Sequence, residues 1–310
     1  MRILISGGSG FLGRALTARL WEDGARVAWL SRDASRQAPD GVRVLGYDAL
    51  APGDRFDAVV NLAGAGIADR RWSDRRKKLL FESRLGPTRA LIEWVRRSEH
   101  RPRVLLSGSA VGWYGGQGDT PLGEGSAPAD DFSHSLCEAW ESAAMEAVSL
   151  EVPVLLLRTG IALHPDGGML KRLLLPFRMG LGGRMGDGRQ MLSWVARRDW
   201  VEAVRSLMLL HLEGSGGAPV GPVNLTAPEP ASNEAFTRAL AGALRRPAVF
   251  AAPRPLLRLA LGEMSTLLLD GQRVDKQHRQ RQERRDHAQD DAGAPVGCGQ
   301  PPVIPGLDQF

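Results

Sequence analysis

The chain has 310 residues, 43% hydrophobic and 24% charged, an ordinary globular balance that excludes a fibrous protein or one disordered throughout. That length suits one large α/β unit or two domains on one chain. The net charge of +5 would admit nucleic acid, a membrane surface or a phosphorylated small molecule; the densest basic run, Arg70 to Lys78, holds one aromatic and reads as a solvated helix face, so no nucleic acid is expected.

In chain order, short apolar runs at Ile3 to Ile5, Val27 to Leu30, Val42 to Leu45, Ala58 to Leu62, Val104 to Leu106 and Val154 to Leu157 read as buried strands. Between the first two, Phe11, Leu12, Ala15, Leu16 and Leu20 keep helical spacing up to Gly24. Trp72 to Arg97 reads as two helical pieces parted at Gly86-Pro87. Alternation of this kind predicts an α/β fold, a doubly wound parallel sheet with right-handed crossovers and helices on both faces. Residues 1–160 are assigned to this unit, and part of the later chain can return to it. Residues 161–274 form a smaller, less regular region with a helix from Asp199 to Leu212, a strand near Val223 and a helix from Ser232 to Leu244. From Asp275 the chain turns to Gln, Arg and Asp, then Gly and Pro, so 275–310 reads as a disordered or divergent tail.

Two cysteines, Cys137 and Cys298, cannot make a disulfide framework and belong to no Cys-x-x-Cys pair, so no metal site is expected and a cytoplasmic location fits. The longest apolar run, Val152 to Leu163, is interrupted by Arg158 and is too short to span a bilayer; the start of the chain carries no signal-peptide core, and no membrane association is expected.

The strongest motif is Ser6-Gly7-Gly8-Ser9-Gly10-Phe11-Leu12-Gly13, placed between the first strand and the first helix. Gly7 permits the tight turn, Gly10 lets backbone approach a pyrophosphate, and Gly13 lets the helix pack closely, while free N–H groups of Phe11 and Leu12 at the helix start face the anion. At the end of the second strand, where an NAD enzyme places an acidic residue, stand Ser31 and Arg32. A guanidinium there suits a 2′-phosphate, so NADP is favoured over NAD, with Asp33 as the competing ribose acceptor. The fourth strand runs out through Leu62, Ala63 and Gly64, and the fifth through Ser107-Gly108-Ser109-Ala110, both at the edge where open α/β sheets collect ligands.

With Ser107 to Gly115, Trp140-Glu141, Leu157-Arg158-Thr159-Gly160, Gly180 to Gly183, Gly188-Arg189-Gln190, Asn224, Ala227 to Pro230 and Leu269 to Val274, the sequence resembles the atypical, extended short-chain dehydrogenase/reductases. Within them it is similar to the NAD-dependent epimerase/dehydratase family proteins of unassigned substrate, a group that includes chains called nucleoside-diphosphate-sugar epimerases or cell-division inhibitors. The resemblance implies a Rossmann domain with a small C-terminal substrate-binding domain and Asp48 near the adenine; Arg84 is placed among the cofactor contacts, and Arg158, ending a buried strand beside the cofactor edge, reads equally as a ligand contact or as a structural pairing. It departs in one decisive place: the only tyrosines, Tyr47 and Tyr114, are followed four residues on by Ala51 and Gly118, so the superfamily's Tyr-x-x-x-Lys acid/base pair is absent. Ser133 and Cys137 occupy the pair's inferred positions, Cys137 being either a thiol acid or, more in keeping with its type, a packing residue. Family members also commonly carry a histidine where Trp194-Val195 leads to Ala196.

Ser109 and Glu124 are the expected catalytic groups, Ser109 polarising a carbonyl or hydroxyl and Glu124 reaching the cleft from a loop. His134, on the helix that would carry the missing pair, reads as an acid/base group or, more in keeping with its place, as an exposed helix residue, and Met169 to Met191 as a substrate lid or an ordinary loop. Two function classes follow: an NADP(H)-dependent oxidoreductase or epimerase-like enzyme on a small carbonyl or sugar-nucleotide substrate, as monomer or homodimer, and a catalytically silent NADP-binding sensor or scaffold.

Overall fold

The computed structural model describes residues 1–214 and 216–274. The order is β1 (Arg2–Ser6), α1 (Phe11–Glu22), β2 (Arg26–Leu30), β3 (Arg43–Leu45), β4 (Ala58–Asn61), α2 (Asp74–Arg97), β5 (Val104–Ala110), β6 (Pro121–Leu122), α3 (Phe132–Met145) and β7 (Val154–Thr159). There follow β8 (Ile161–Leu163), α4 (Gly168–Arg178), β9 (Met191–Leu192), β10 (Trp194–Ala196), α5 (Arg197–Leu212), β11 (Gly221–Leu225), β12 (Ala231–Ser232), α6 (Asn233–Leu244), α7 (Arg254–Leu261), α8 (Thr266–Leu269) and β13 (Arg273–Val274). The tail expected over 275–310 lies outside the described residues.

Seven strands form one parallel sheet in the order β11-β7-β5-β4-β1-β2-β3, so the strand order reverses between β1 and β4. Because strand side chains alternate between faces, each strand feeds two cores. Ile3, Ile5, Val27, Trp29, Val60, Leu106 and Leu157 pack under α1 and α5 with Leu16, Leu20, Trp200 and Val204. Leu4, Ala28, Val59, Leu105, Val154 and Leu156 pack under α2 and the end of α3 with Leu91, Trp94 and Ala144. The chain is thus a doubly wound α/β protein, as the alternation of elements leads one to expect.

Two local expectations need correction. The helix over 74–97 is continuous, with Pro87 inside it. A proline removes one donor and crowds the preceding turn; here side chains tie that turn, Thr88 Oγ1 donating to the Arg84 carbonyl at 2.7 Å and Ser83 Oγ to the Leu80 carbonyl at 3.0 Å. Pro87 is buried, which contributes apolar contact in return. The second correction is to the strand at Val42, which begins one residue later at Arg43.

Beyond β7 the chain leaves the sheet for β8, α4, β9 and β10, where Leu170, Leu174, Phe177, Trp194, Phe236 and Leu240 form a separate apolar cluster. It then comes back: α5 lies against α1, tied by Arg19 to Glu202 at 2.6 Å and by an Arg205–Asp23 ion pair, and β11 pairs with β7 as the last strand of the sheet. A final excursion begins at Ser232, whose hydroxyl accepts from the Ala235 N–H at 3.1 Å and caps α6.

Candidate active site

The glycine loop stands at the switch point, directly after β1. Gly7 has φ +78°, a conformation that L side chains rarely adopt, and a Cβ there would stand 2.7 Å from the Leu62 carbonyl. A Cβ on Gly13 would meet the Gly7 oxygen at 2.4 Å, so α1 runs as close to the turn as backbone allows. Its first turn carries no side-chain cap, with Gly10 at the N-cap. Bare helix N–H groups above a turn with no room for side chains make an anion cradle, and the pyrophosphate of a dinucleotide fits it. Phe11 lies beneath Gly167 with Arg197 over its ring at 5.1 Å, and Leu12 packs on the α1 core.

On the β2 side of the cradle, Arg32 is exposed and its side chain makes no hydrogen bond or ion pair among the described residues. Sequence reasoning missed its neighbour Arg36, whose Nη1 donates to Ser9 Oγ at 2.9 Å and which lines, with Arg14 and Trp29, a depression of about 560 Å³. The signal was available, since the arginine four positions past Arg32 follows the same strand end. Asp33 is occupied: Ser35 donates to its Oδ1 from backbone at 3.0 Å and from hydroxyl at 2.6 Å, and these bonds hold its carboxyl below the ordinary value. Ser31 Oγ accepts the Asp33 N–H, and Asp48 is exposed on the turn Tyr47–Ala49 after β3, beside Tyr47, whose hydroxyl shares a 2.7 Å hydrogen bond with Ser6.

On the other side, Leu62, Ala63 and Gly64 leave β4 beneath α2. Arg84 from α2 lies against Gly64, donates to the Ala65 carbonyl at 3.2 Å and stacks over Trp140 at 5.1 Å. Burial pushes its guanidinium pKa down, partly offset by Cys137.

Pairing in register places Ser6, Asn61 and Ser107 in one row across β1, β4 and β5, and Ser109, Arg158 and Asn224 in the next row across β5, β7 and β11. All six point to the α2/α3 face, continuing outward from the apolar row of Leu4, Val59, Leu105 and Val154. Each is buried, so each has to find a partner in the protein. Asn61 donates to Thr88 at 2.8 Å, as Trp140 does at 3.1 Å. Ser109 Oγ donates to Glu141 Oε1 at 2.5 Å, while Arg158 clasps both oxygens of Glu141 at 2.9 Å each. The other Arg158 amino group donates to Tyr114 Oη at 3.2 Å and to the Glu124 carbonyl at 3.0 Å, with Trp113 stacked 3.6 Å from the guanidinium. Tyr114 Oη donates to Asn224 Oδ1 at 2.7 Å, and Glu124 Oε1 accepts the Asn224 N–H at 3.0 Å.

Arg158 and Glu124 therefore sit in one polar network with Ser109, and the carboxylate touching Ser109 is Glu141, not Glu124. Sequence reasoning quoted Glu141 and gave it no role; it lies four residues beyond Cys137 and eight beyond Ser133, on the same stripe of α3. Ser133 and Cys137 are buried against Gly112, and burial pushes the Cys137 thiol up to about 12. A thiol so placed is a packing residue, protonated at neutral pH. The expectation of an exposed His134 is overturned as well: the ring is buried edge-on to Trp113, with Nδ1 2.7 Å from the Trp113 carbonyl, because Asp131 caps α3 and turns this first-turn residue inward. The stretch from Met169 to Met191 includes most of α4, fastened by Arg172 to Asp69 at 2.5 Å.

The sheet order, the glycine cradle at its switch point and the polar edge beside it define a dinucleotide-binding Rossmann protein. The model of the NAD dependent epimerase/dehydratase family matches residues 3–218, and the chain belongs to that family. A domain of unknown function matches residues 252–275. An epimerase family protein of Mycobacterium bovis is 38% identical over 277 residues, covering 88% of this chain and 89% of that protein. Another from Bacillus subtilis is 33% identical, covering 88% and 90%. Among solved structures, the human epimerase family protein SDR39U1, described with NADPH, superposes with TM-score 0.79 at 31% identity, covering 89% of this chain and 91% of that one. A nucleoside-diphosphate sugar epimerase from Corynebacterium glutamicum gives 0.63 at 32% identity, covering 92% and 61%. The chain carries a nicotinamide-cofactor fold of the epimerase type; among its described residues no helix is long and apolar enough to cross a membrane.

Proposed function

We propose that this protein is an NADP(H)-dependent oxidoreductase or epimerase-like enzyme acting on a small hydroxyl- or carbonyl-bearing substrate in the cytoplasm, as monomer or homodimer. The observation that carries the reading is that the anion cradle at Gly7 to Gly13 opens on the same sheet edge as the buried Ser109 cluster. The nicotinamide, when bound, supplies hydride acceptance and donation. The chain's own residues do the rest. The N–H groups of Phe11 and Leu12 would give the pyrophosphate its backbone donors, with Gly7, Gly10 and Gly13 leaving room for it to approach, and Arg32 and Arg36 would face a 2′-phosphate, which favours NADP over NAD. Leu62, Ala63 and Gly64 lie along the nicotinamide-side ribose with Arg84 behind them. Ser109 contacts the substrate oxygen, Glu124 with Asn224 closes the β11 side, and residues 161–274 contribute the substrate-facing walls. The NADPH named with the human relative supports the cofactor class.

A silent NADP-binding sensor is the second reading, favoured by one observation: the inferred lysine position holds a thiol pushed up to about 12. Titration with NADPH and NADH, followed by assay of nicotinamide absorbance against a panel of alcohols, carbonyls and sugar nucleotides, separates the two. Tight NADPH binding with turnover of any panel member supports the enzyme. Tight binding with no turnover supports the sensor, and failure to bind either cofactor removes both.

A further inference from the structure

An oxidoreductase that passes hydride must also move a proton to or from the substrate oxygen, and the usual tyrosine and lysine are missing here. The remaining tyrosines do not replace them, since burial pushes the phenols of both Tyr47 and Tyr114 upward, and Tyr114 spends its proton on Asn224. One hydroxyl at this edge is joined to a buried carboxylate. Ser109 Oγ lies 2.5 Å from Glu141 Oε1, both residues being 6% exposed. A hydroxyl has one proton, and this one is directed at Glu141, so Ser109 presents only lone pairs to the Cys137 thiol beside it and to an arriving substrate. It can therefore accept from a donor, which an alcohol is and a carbonyl is not.

From this geometry we infer that Ser109 and Glu141 form a two-proton relay that takes the place of the missing pair, and that the substrate engages it as a secondary alcohol in the oxidative direction. This rests on the oxidoreductase reading above. The bound oxidised nicotinamide would accept the hydride released as the carbinol C–H bond breaks, and the substrate O–H proton passes to Ser109 Oγ. The proton of Ser109 passes to Glu141 Oε1 in the same event, leaving a ketone, a neutral serine and a carboxylic acid. Reduction is the reverse: Glu141 returns its proton to Ser109, Ser109 protonates the substrate oxygen, and hydride arrives at carbon.

Protonating Glu141 would strand a buried guanidinium if Glu141 were its sole partner. It is not. Arg158 also lies 3.6 Å above the Trp113 ring and keeps hydrogen bonds to Tyr114 Oη and the Glu124 carbonyl, so its charge retains a π face and two acceptors when the carboxylate is neutralised. Glu141 acts through Ser109 and is a positioning and relay residue.

The test compares wild type, Ser109→Ala, Glu141→Gln and Glu141→Asp on an alcohol that the wild type oxidises. Glu141→Gln and Ser109→Ala are each expected to lower kcat by about 10² to 10⁴, with substrate KM and NADPH affinity within about threefold of wild type. The double variant falls no further than either single one, since both interrupt the same path. Glu141→Asp recovers part of the rate. The solvent deuterium isotope effect reports two protons in wild type and one in Glu141→Gln. In the cofactor-free protein, the infrared carboxylate stretch that disappears in Glu141→Gln shifts in Ser109→Ala, because its short hydrogen bond is gone. Should Glu141→Gln not fold, Ser109→Ala and Glu141→Asp carry the kinetic test. A wild-type rate in Glu141→Gln, or an unmoved stretch in Ser109→Ala, overturns the relay and leaves the oxidoreductase standing; a wild type that binds NADPH and oxidises nothing overturns both.

Discussion

The two faces of the central sheet start from the same alternation and finish differently. Under α1 and α5 the side chains stay apolar toward the carboxyl edge, through Ile5, Val60, Leu106 and Leu157. Under α2 and α3 the last rows turn polar, through Ser6, Asn61, Ser107, Ser109, Arg158 and Asn224. One face uses its helices chiefly to exclude water, its buried polar bonds to the sheet being Trp29 to Thr17 at 2.8 Å and Trp200 to Thr159 at 3.0 Å. The other face uses them, with the loop residues Tyr47, Tyr114 and Glu124, to hold buried hydroxyls, amides and charges, and that is where chemistry can be held rigidly, although Asn61 Oδ1 and Asn224 Nδ2 stay without a partner among the described residues.

Breaking each face should therefore cost stability by a different route. Arg158→Met leaves Glu141 buried without its cation and is expected to lower unfolding free energy by about 3–5 kcal/mol in denaturant titration. The paired change Arg158→Met with Glu141→Leu should recover most of that loss. Leu16→Ala, on the apolar face, should cost about 2–5 kcal/mol, with no partner substitution elsewhere to rescue it. If Arg158→Met costs no more than an exposed arginine does, the polar rows are not a cooperative unit.

The next effect is on the cofactor site. Gly13→Val puts a branched side chain where even a Cβ would stand 2.4 Å from the Gly7 oxygen, a backbone atom, so α1 must back away from the turn: NADPH affinity should fall by at least about tenfold, with a loss of about 1–3 kcal/mol in denaturant stability beside it. Similar in size is the choice between cofactors. A charge-assisted bond from Arg32 or Arg36 to a 2′-phosphate is worth about 1.5–3 kcal/mol, so wild type should prefer NADPH to NADH by roughly tenfold or more in calorimetric titration. Arg32→Ala with Arg36→Ala should erase the preference. Equal affinities in wild type would remove it from this edge.

The last effect lies at Cys137 and is confined to alkaline pH. Its thiol pKa is raised in the folded state, so between the ordinary thiol value, about 8.5, and about 12 the unfolded chain loses a proton that the folded chain keeps. Stability should consequently fall as pH rises through that window, and be fully present below it. Within the window wild type should lose up to about 1.4 kcal/mol per pH unit more than Cys137→Ala, measured by denaturant titration at a series of alkaline pH values. Parallel curves for the two proteins would mean that the thiol reaches solvent.

How much of this was legible beforehand divides along the same line. The cradle could be read directly, because Gly7, Gly10 and Gly13 do their work through backbone and spacing within one turn. The strands could be read because both faces are apolar for most of their length. The Ser109–Glu141–Arg158 cluster could not, because it joins residues 32 and 17 positions apart through strand register and helix rotation, neither of which a single sequence states. Its one local hint was the four-residue stripe Ser133, Cys137, Glu141. Pro87 misled for a similar reason: its cost is local, whereas the buried packing and side-chain bonds that offset it come from the whole helix.

The route of the chain through the sheet carries a last consequence, for synthesis. β7 receives its outer neighbour only when β11 arrives, after the intervening excursion through β8, α4, β9, β10 and α5. A nascent chain that has emerged only as far as Thr159 therefore holds an open, apolar strand edge, the kind of surface that pairs with other chains. Completion of the nucleotide-binding sheet waits on residues near 225, and with them on a long sequence separation that slows closure. Fragments ending between β7 and β11 are expected to aggregate during translation, and those extending past Leu225 to escape it.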